Sequence, residues 1–441
     1  MNKDRLILVT APVATRSGYG SHSRDIIYSL VNLGYDVKTF PVRWGNTPPN
    51  ALTPGLNDRE DAIISTLMQE ANLSRQPDLH IHITIPTEFN KIGTKNIGIT
   101  AGVEWTNPKP EWLEACNRMD RVIVPSNFVK DVFTQTIYNK QDKATGQNIE
   151  QLKVNVPVDV LFEGYDENIY KPTDEYSKKL VDTLKHINED FCFLYVGHWL
   201  QGNLGQDRKD TGMLVKVFLE TFKNIPNPPA LIMKTSSGAF SVMDRDSLMS
   251  KIQDIKNGID AKSLPKIYIL HGELHDEEMN ELYNHPKVKA MVSLTKGEGF
   301  GRPLLEFTRS QKPIMTTAWS GQVDFLDRES SFLLPGSLNN VDKSALPKDY
   351  YTEQSQWFTA DYGVASQVMI DMFNNKDKWE TMGYKQSLYS QDFTLKKMEE
   401  KLGEIVEETL SDVTQQVQVS LPKLKKVEKK PEIKLPKLKK V

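Results

Sequence analysis

The densest chemistry in the chain lies in Thr295-Lys-Gly-Glu-Gly-Phe-Gly-Arg-Pro-Leu-Leu-Glu306, which follows an apolar run and opens a helical pattern. Three glycines in this stretch let the backbone turn tightly and approach a ligand. Pro303 suits a first helical turn, where its missing amide leaves nothing unpaired. A helix N-terminus directed at such a turn favours an anion, because its free amides and its dipole both attract phosphate. Glu298 in the turn and Glu306 on the helix are separated by seven residues, so both can accept hydrogen bonds from one hydroxyl-rich ligand. Carboxylates beside a phosphate site suit sugar hydroxyls better than further phosphate. The competing reading is a plain strand-to-helix turn with two solvated acids. Spacing, glycines and context together weigh against it.

This segment resembles the acidic signature of the GT-B glycosyltransferases of family four, a Glu, seven residues, then a second Glu. The resemblance implies that Glu298 holds hydroxyls of a transferred sugar and Glu306 a nucleotide ribose, with Gly299, Phe300 and Gly301 in the donor-binding turn. A second match is Val196-Gly197, followed after a loop by Arg208-Lys209 ahead of a helical pattern. In the family, a strand ending in glycine and a later Arg and Lys embrace the donor diphosphate. Cleaving a sugar-phosphate bond develops charge on the leaving diphosphate, and fixed cations stabilise it without a metal. Two exposed basic residues at a helix start are the alternative, one that the helix dipole disfavours. The loop over 198–207 is longer than the family pattern leads one to expect.

A third match is Thr15-Arg-Ser-Gly-Tyr-Gly-Ser21, between the first strand pattern and the first helix pattern. The resemblance places this loop, with Gly18 and Gly20, across an interdomain cleft from the donor phosphates. A dinucleotide fingerprint is the competing reading, and it fails because the third glycine position is Ser23. Many family members carry a histidine after an N-domain strand, near the donor sugar. Here Ile97-Gly-Ile-Thr-Ala-Gly-Val-Glu-Trp105 has Glu104 and no histidine. Three roles for Glu104 stay open: a base, a holder of an acceptor hydroxyl, or a structural partner of a basic neighbour. Weaker resemblances, in Val124-Pro-Ser-Asn-Phe-Val-Lys130, Glu163-Gly-Tyr-Asp-Glu-Asn-Ile-Tyr-Lys-Pro172 and Pro313-Ile-Met-Thr-Thr-Ala-Trp-Ser-Gly321, extend the likeness over residues 1–410.

Two patterns are discounted. Asp244-Arg245-Asp246 has the Asp-x-Asp form of metal-dependent glycosyltransferases, but so short a pattern arises by chance and a capping role at a helix start accounts for it better. His80 and His82 alternate on a predicted strand and share one side, as metal ligands would, yet no further ligands lie nearby. No metal is assigned.

These residues need rigid supports, and the patterning supplies them. Short apolar runs at 6–10, 37–40, 79–84, 97–101 and 122–125 read as strands, with helices at 22–33 and 61–71 between them. The series restarts with strands at 191–197, 230–234, 266–270, 290–294 and 313–317 and helices at 211–222 and 276–283. Alternation of this kind buries a parallel sheet between helical layers. The expected fold is therefore α/β with two doubly wound, Rossmann-like domains, and the GT-B resemblance implies that they face each other across a cleft, acceptor side and donor side. The N-terminal, acceptor-side domain is expected over 1–172 and the donor-binding domain over 173–375. Helices over 376–412 pack back on the body, and a basic tail spans 413–441. The tail contains Leu-Pro-Lys-Leu-Lys-Lys-Val twice, and its last 21 residues carry nine lysines and three prolines, a composition that favours disorder.

Composition sets the outer limits. The 441 residues, 39% hydrophobic and 26% charged, are ordinary for a globular chain of two or three domains, and a net charge of -3 gives no global field for nucleic acid. Cys116 and Cys192 are too few for a disulfide framework or a clustered zinc site, which suits a reducing cytoplasm. The opening residues faintly resemble a signal peptide, but their apolar run has the length of a buried strand and leads into a glycine loop. No run approaches the roughly 18 apolar residues of a membrane span.

The resemblance to family four implies transfer of a sugar, with retention, from a nucleoside-diphosphate sugar to an unidentified acceptor, without a cofactor. A phosphorylase using free phosphate would employ the same cations. A GT-B binding or assembly protein without catalysis would need a damaged donor site. A transferase acting on hydroxylated bases in DNA would give the basic tail a purpose, holding a polyanion such as nucleic acid or an anionic membrane.

Overall fold

The computed structural model of the chain describes residues 4–414 apart from 46, 71, 142–147, 239 and 347–348; the basic tail beyond Thr414 lies outside the described residues. The first strand, β1 (Leu6–Ala11), is buried along its whole length, as a central parallel strand covered on both faces must be. It leads through the glycine loop to α1 (Gly18–Asn32), whose N-cap Ser17 accepts the amide of Gly20 through its hydroxyl. There follow β2 (Asp36–Pro41), α2 (Asp58–Ser65), β3 (Leu79–Ile83), β4 (Lys95–Ile99), α3 (Pro110–Cys116), β5 (Arg121–Val124) and α4 (Asn127–Gln135). A polar hairpin of β6 (Tyr138–Gln141) and β7 (Asn148–Leu152) precedes β8 (Val158–Val160). The six long-range strands form one parallel sheet in the order β2-β1-β3-β4-β5-β8.

The chain then crosses to a second unit. Its elements are α5 (Lys178–Leu184), β9 (Cys192–Val196), α6 (Thr211–Phe222), β10 (Ala230–Lys234), α7 (Val242–Asn257), β11 (Ile267–Leu270), α8 (Asp276–Asn284), β12 (Val288–Val292), α9 (Arg302–Thr308), β13 (Ile314–Thr317) and β14 (Phe332–Leu334). They build a second parallel sheet in the order β11-β10-β9-β12-β13-β14. In both sheets the order reverses beside the first strand, and ligands of open α/β sheets bind outside the carboxyl ends of the strands at that switch point. The glycine loop follows β1, Gly197 follows β9 and the acidic segment follows β12, so the local folding delivers all three to switch points.

Three structures tie the units together. The antiparallel pair β15 (Gly336–Asn340) and β16 (Gln356–Ala360) carries Val341, Ala345, Tyr351 and Trp357 into a buried cluster with Trp105, Trp112 and Phe133 of the first unit. After α10 (Tyr362–Asn374) and α11 (Lys376–Tyr389), which belongs to the second unit through buried Trp379, α12 (Leu395–Leu410) returns to the first. There Met398, Leu402, Ile405, Val406 and Leu410 join the core of Ile26, Ile27 and Leu30. The outgoing and returning chains run side by side: Tyr165 N donates to Phe393 O at 3.1 Å and Leu395 N to Tyr165 O at 2.7 Å. Val413, which the sequence places in the tail, is buried in the same core, and its carbonyl accepts from Arg5 Nη2 at 2.7 Å. The body therefore runs through Val413.

Among the described residues no helix is long and apolar enough to cross a membrane. Cys116 and Cys192 are buried free thiols.

Candidate functional site

Arg208 and Lys209 close a loop that returns to the acidic segment despite its length, because Lys296 N donates to Arg208 O at 2.7 Å. The loop ends on Asp210, which caps α6 in a left-handed conformation, φ 51°. Asp210 stays there by pairing with buried Lys296 at 3.2 Å and accepting the Tyr362 hydroxyl at 2.6 Å. The result is a compact charge cluster. Lys209 Nζ lies 2.5 Å from Glu298 Oε1, and Arg208 reaches Glu298 Oε2 and Glu104 Oε1, each at 3.5 Å. Arg208 also donates to the Gly297 carbonyl at 2.7 Å, and Thr295 Oγ1 donates to Glu298 Oε1 at 2.7 Å.

Burial and charge compete in this cluster. Burial pushes the Glu298 carboxyl up, but Lys209 and Arg208 outweigh it and hold the group below its ordinary range. Burial lowers Lys209, with Glu298 opposing the shift, and burial raises Glu104 against the pull of Arg208. The charges thus sit in a half-buried cluster, where they are screened less than in open water.

The acidic segment approaches the first unit so closely that Gly299 has no room for a side chain: a Cβ there would meet Ala101 O at 2.3 Å. Ser126 Oγ donates to Gly299 O at 2.6 Å, fixing that approach. Gly301 caps α9 with φ 99°, a conformation that glycine adopts without strain. Phe300 turns its ring into the core, 4.9 Å from Phe325, so only its backbone is offered to a ligand. Gly20 is also crowded, with a Cβ position 2.1 Å from Thr15 O, whereas Gly18 is exposed and unhindered. Gly197 follows β9 directly, with its amide donating to Lys234 O at 3.2 Å.

Glu306 lies apart from Glu298 in a second network that sequence reasoning missed. Arg302 Nε donates to Glu306 Oε1 at 2.8 Å, and the Tyr283 hydroxyl donates to Oε2 at 3.3 Å. Arg302 also pairs with buried Asp25 on α1, which in turn pairs with Arg59; Arg59 reaches Asp166 at 3.1 Å. Burial raises the Glu306 carboxyl to about 7. Arg302 stands inside the segment singled out above, but no local spacing connects it with Asp25, 277 residues away.

The discounted patterns have structural partners. Asp244 accepts the Ser237 amide at 3.1 Å and bonds His271 Nε2 at 2.9 Å, and the cap of α7 is Ser241 rather than an aspartate. His80 joins Thr10 Oγ1 at 2.9 Å, His82 Nδ1 accepts the Asn90 amide at 3.2 Å, and burial lowers both rings to about 4.

Two doubly wound domains facing across a cleft, with the returning C-terminal helix, define the GT-B architecture. The chain is similar to a sucrose-phosphate synthase from Thermosynechococcus elongatus, with a TM-score of 0.60, 13% identity, and coverage of 92% of this chain and 99% of that one. It is also similar to a glycosyltransferase from Rickettsia africae, with a TM-score of 0.60, 14% identity, and coverage of 93% and 100%. A third similar structure is Anabaena HepE in complex with UDP and glucose, with a TM-score of 0.56, 13% identity, and coverage of 91% and 99%. No protein-family model matches the sequence. A search of curated proteins finds no match.

Proposed function

We propose that the chain is a glycosyltransferase of the family-four kind, transferring a sugar with retention from a nucleoside-diphosphate sugar to an acceptor held in the cleft. The observation that carries this reading is the cluster of Arg208, Lys209 and Glu298 at the switch point of the second sheet. As the sugar-phosphate bond breaks, negative charge grows on the departing diphosphate, and the two cations are already fixed where it grows. Glu298 holds the cations and accepts hydroxyls of the sugar. Glu306 accepts ribose hydroxyls. Glu104, tied to Arg208, acts as a positioning residue on the acceptor side rather than as a free base. The same architecture holds UDP and glucose in the Anabaena structure, which fits this class of donor.

A binding protein without catalysis would need this cluster broken, and all its members are in place. The test is release of nucleoside diphosphate across a panel of nucleotide sugars. Glu298→Gln should slow release by roughly tenfold to over a hundredfold, the worth of one hydrogen bond to a charged group. A folded variant with unchanged turnover overturns the assignment.

A further inference from the structure

Carboxylates gather where the two domains meet, among them Glu298, Glu104, Glu306, Asp25 and Glu163, and the first four are engaged. Glu298 takes Lys209 and Thr295, Glu104 takes Arg208, Glu306 takes Arg302 and Tyr283, and Asp25 takes Arg59 and Arg302. The fifth, Glu163, is 7% exposed and has neither a hydrogen bond nor an ion pair among the described residues. It follows β8 and precedes Gly164, where a Cβ would lie 2.5 Å from Leu395 Cα, so the linker holds its backbone tightly. The charges that act on it most are Arg302, Asp25 and Glu306, ahead of Glu298. Glu163 thus belongs electrostatically with the Glu306 side of the cleft. With 7% of its surface still open, the nearly buried carboxylate has no protein donor among the described residues and is free to take one from a ligand.

We propose that Glu163 is a specificity-determining residue that accepts a hydrogen bond from a ribose hydroxyl of the bound nucleotide. This rests on the donor reading above. The class of ligand it selects is a ribonucleoside diphosphate over its deoxy counterpart, because a site built to bond a hydroxyl rejects the analogue lacking it.

The experiment compares binding of UDP, GDP and ADP with that of their 2′-deoxy and 3′-deoxy analogues to the full chain, by calorimetry, in wild type, Glu163→Gln and Glu163→Ala. Wild type should prefer a ribonucleotide over one deoxy analogue by at least about tenfold, and both variants should lose about tenfold of that preference. Unchanged discrimination in folded variants overturns the role of Glu163 and leaves the donor reading standing. Failure of every ribonucleotide to bind wild type overturns both. Thermal melting of the ligand-free variants supplies a second readout: a side chain without partners can be replaced without loss of melting temperature. A large drop for Glu163→Gln would reveal a structural partner and overturn the proposal.

Discussion

Half-buried Lys209 lies 2.5 Å from Glu298, whose charge opposes the downward pull of burial on the ammonium, and the pair shows why the site must be treated as a unit. Adding a leaving diphosphate to the cluster supplies the anion that Arg208 and Lys209 share, so turnover should not depend on added divalent metal. Excess EDTA should leave nucleoside diphosphate release unchanged. Loss of activity that manganese restores would return Asp244 and Asp246 to consideration.

Glu163 offers a pH test with a defined sign. Burial lifts its carboxyl from the ordinary 4.5 to about 7. Between those values the unfolded chain has lost the proton while the folded chain keeps it, so stability falls as pH rises through that window and levels off above it. Glu306 adds a penalty in the same window, and only the comparison of variant with wild type isolates Glu163. Glu163→Gln should therefore stabilise the ligand-free protein relative to wild type more at about pH 8 than at about pH 5. Equal differences in melting temperature at both would show that Glu163 does not titrate there.

At the scale of elements, periodicity carried most of the fold. Strand β10 over 230–234 and the helix over 211–222 fall on their expected bounds, since each has a strongly apolar buried face. Helix α1 starts at Gly18 rather than residue 22 because Ser17 caps it there. What escaped reading had no period to read: β8 is three residues long, and β15 is exposed throughout. The candidate site was legible where its residues share a local pattern, as Glu298 and Arg208-Lys209 do. It was not legible where charges meet across the chain, as Arg302 and Asp25 do. The β16 strand carries a specific consequence. Trp357 is buried in the seam between the domains, so Trp357→Ala should cost about 3–5 kcal/mol through its cavity. Denaturant unfolding would measure this; a loss below about 1 kcal/mol would mean the seam adds little.

For the whole molecule, the boundary at Val413 decides how the basic tail is tested. Removing residues 415–441 spares the buried Val413 and should leave donor hydrolysis intact. If the tail grips a polyanion, the truncated protein should bind one more weakly, with a difference that shrinks as salt rises, because each lysine that neutralises a phosphate releases counterions. Equal polyanion binding at every salt concentration would reduce the tail to a solubility device. Lost donor hydrolysis would show that it belongs to the catalytic body.

The side-by-side crossing of the chain at Tyr165 and Thr394 has a mechanical meaning. Two tethers at one place, bonded to each other, resist sliding and shear but bend together, as the two leaves of a door hinge do. At this crossing the easiest relative motion is a swing about the line through residues 163–165 and 393–395, and the buried seam around Trp357 is what resists it. Glu163 sits on that pivot, where the angle between the domains changes but distances hardly do. A ligand contact on the axis therefore changes least as the swing proceeds.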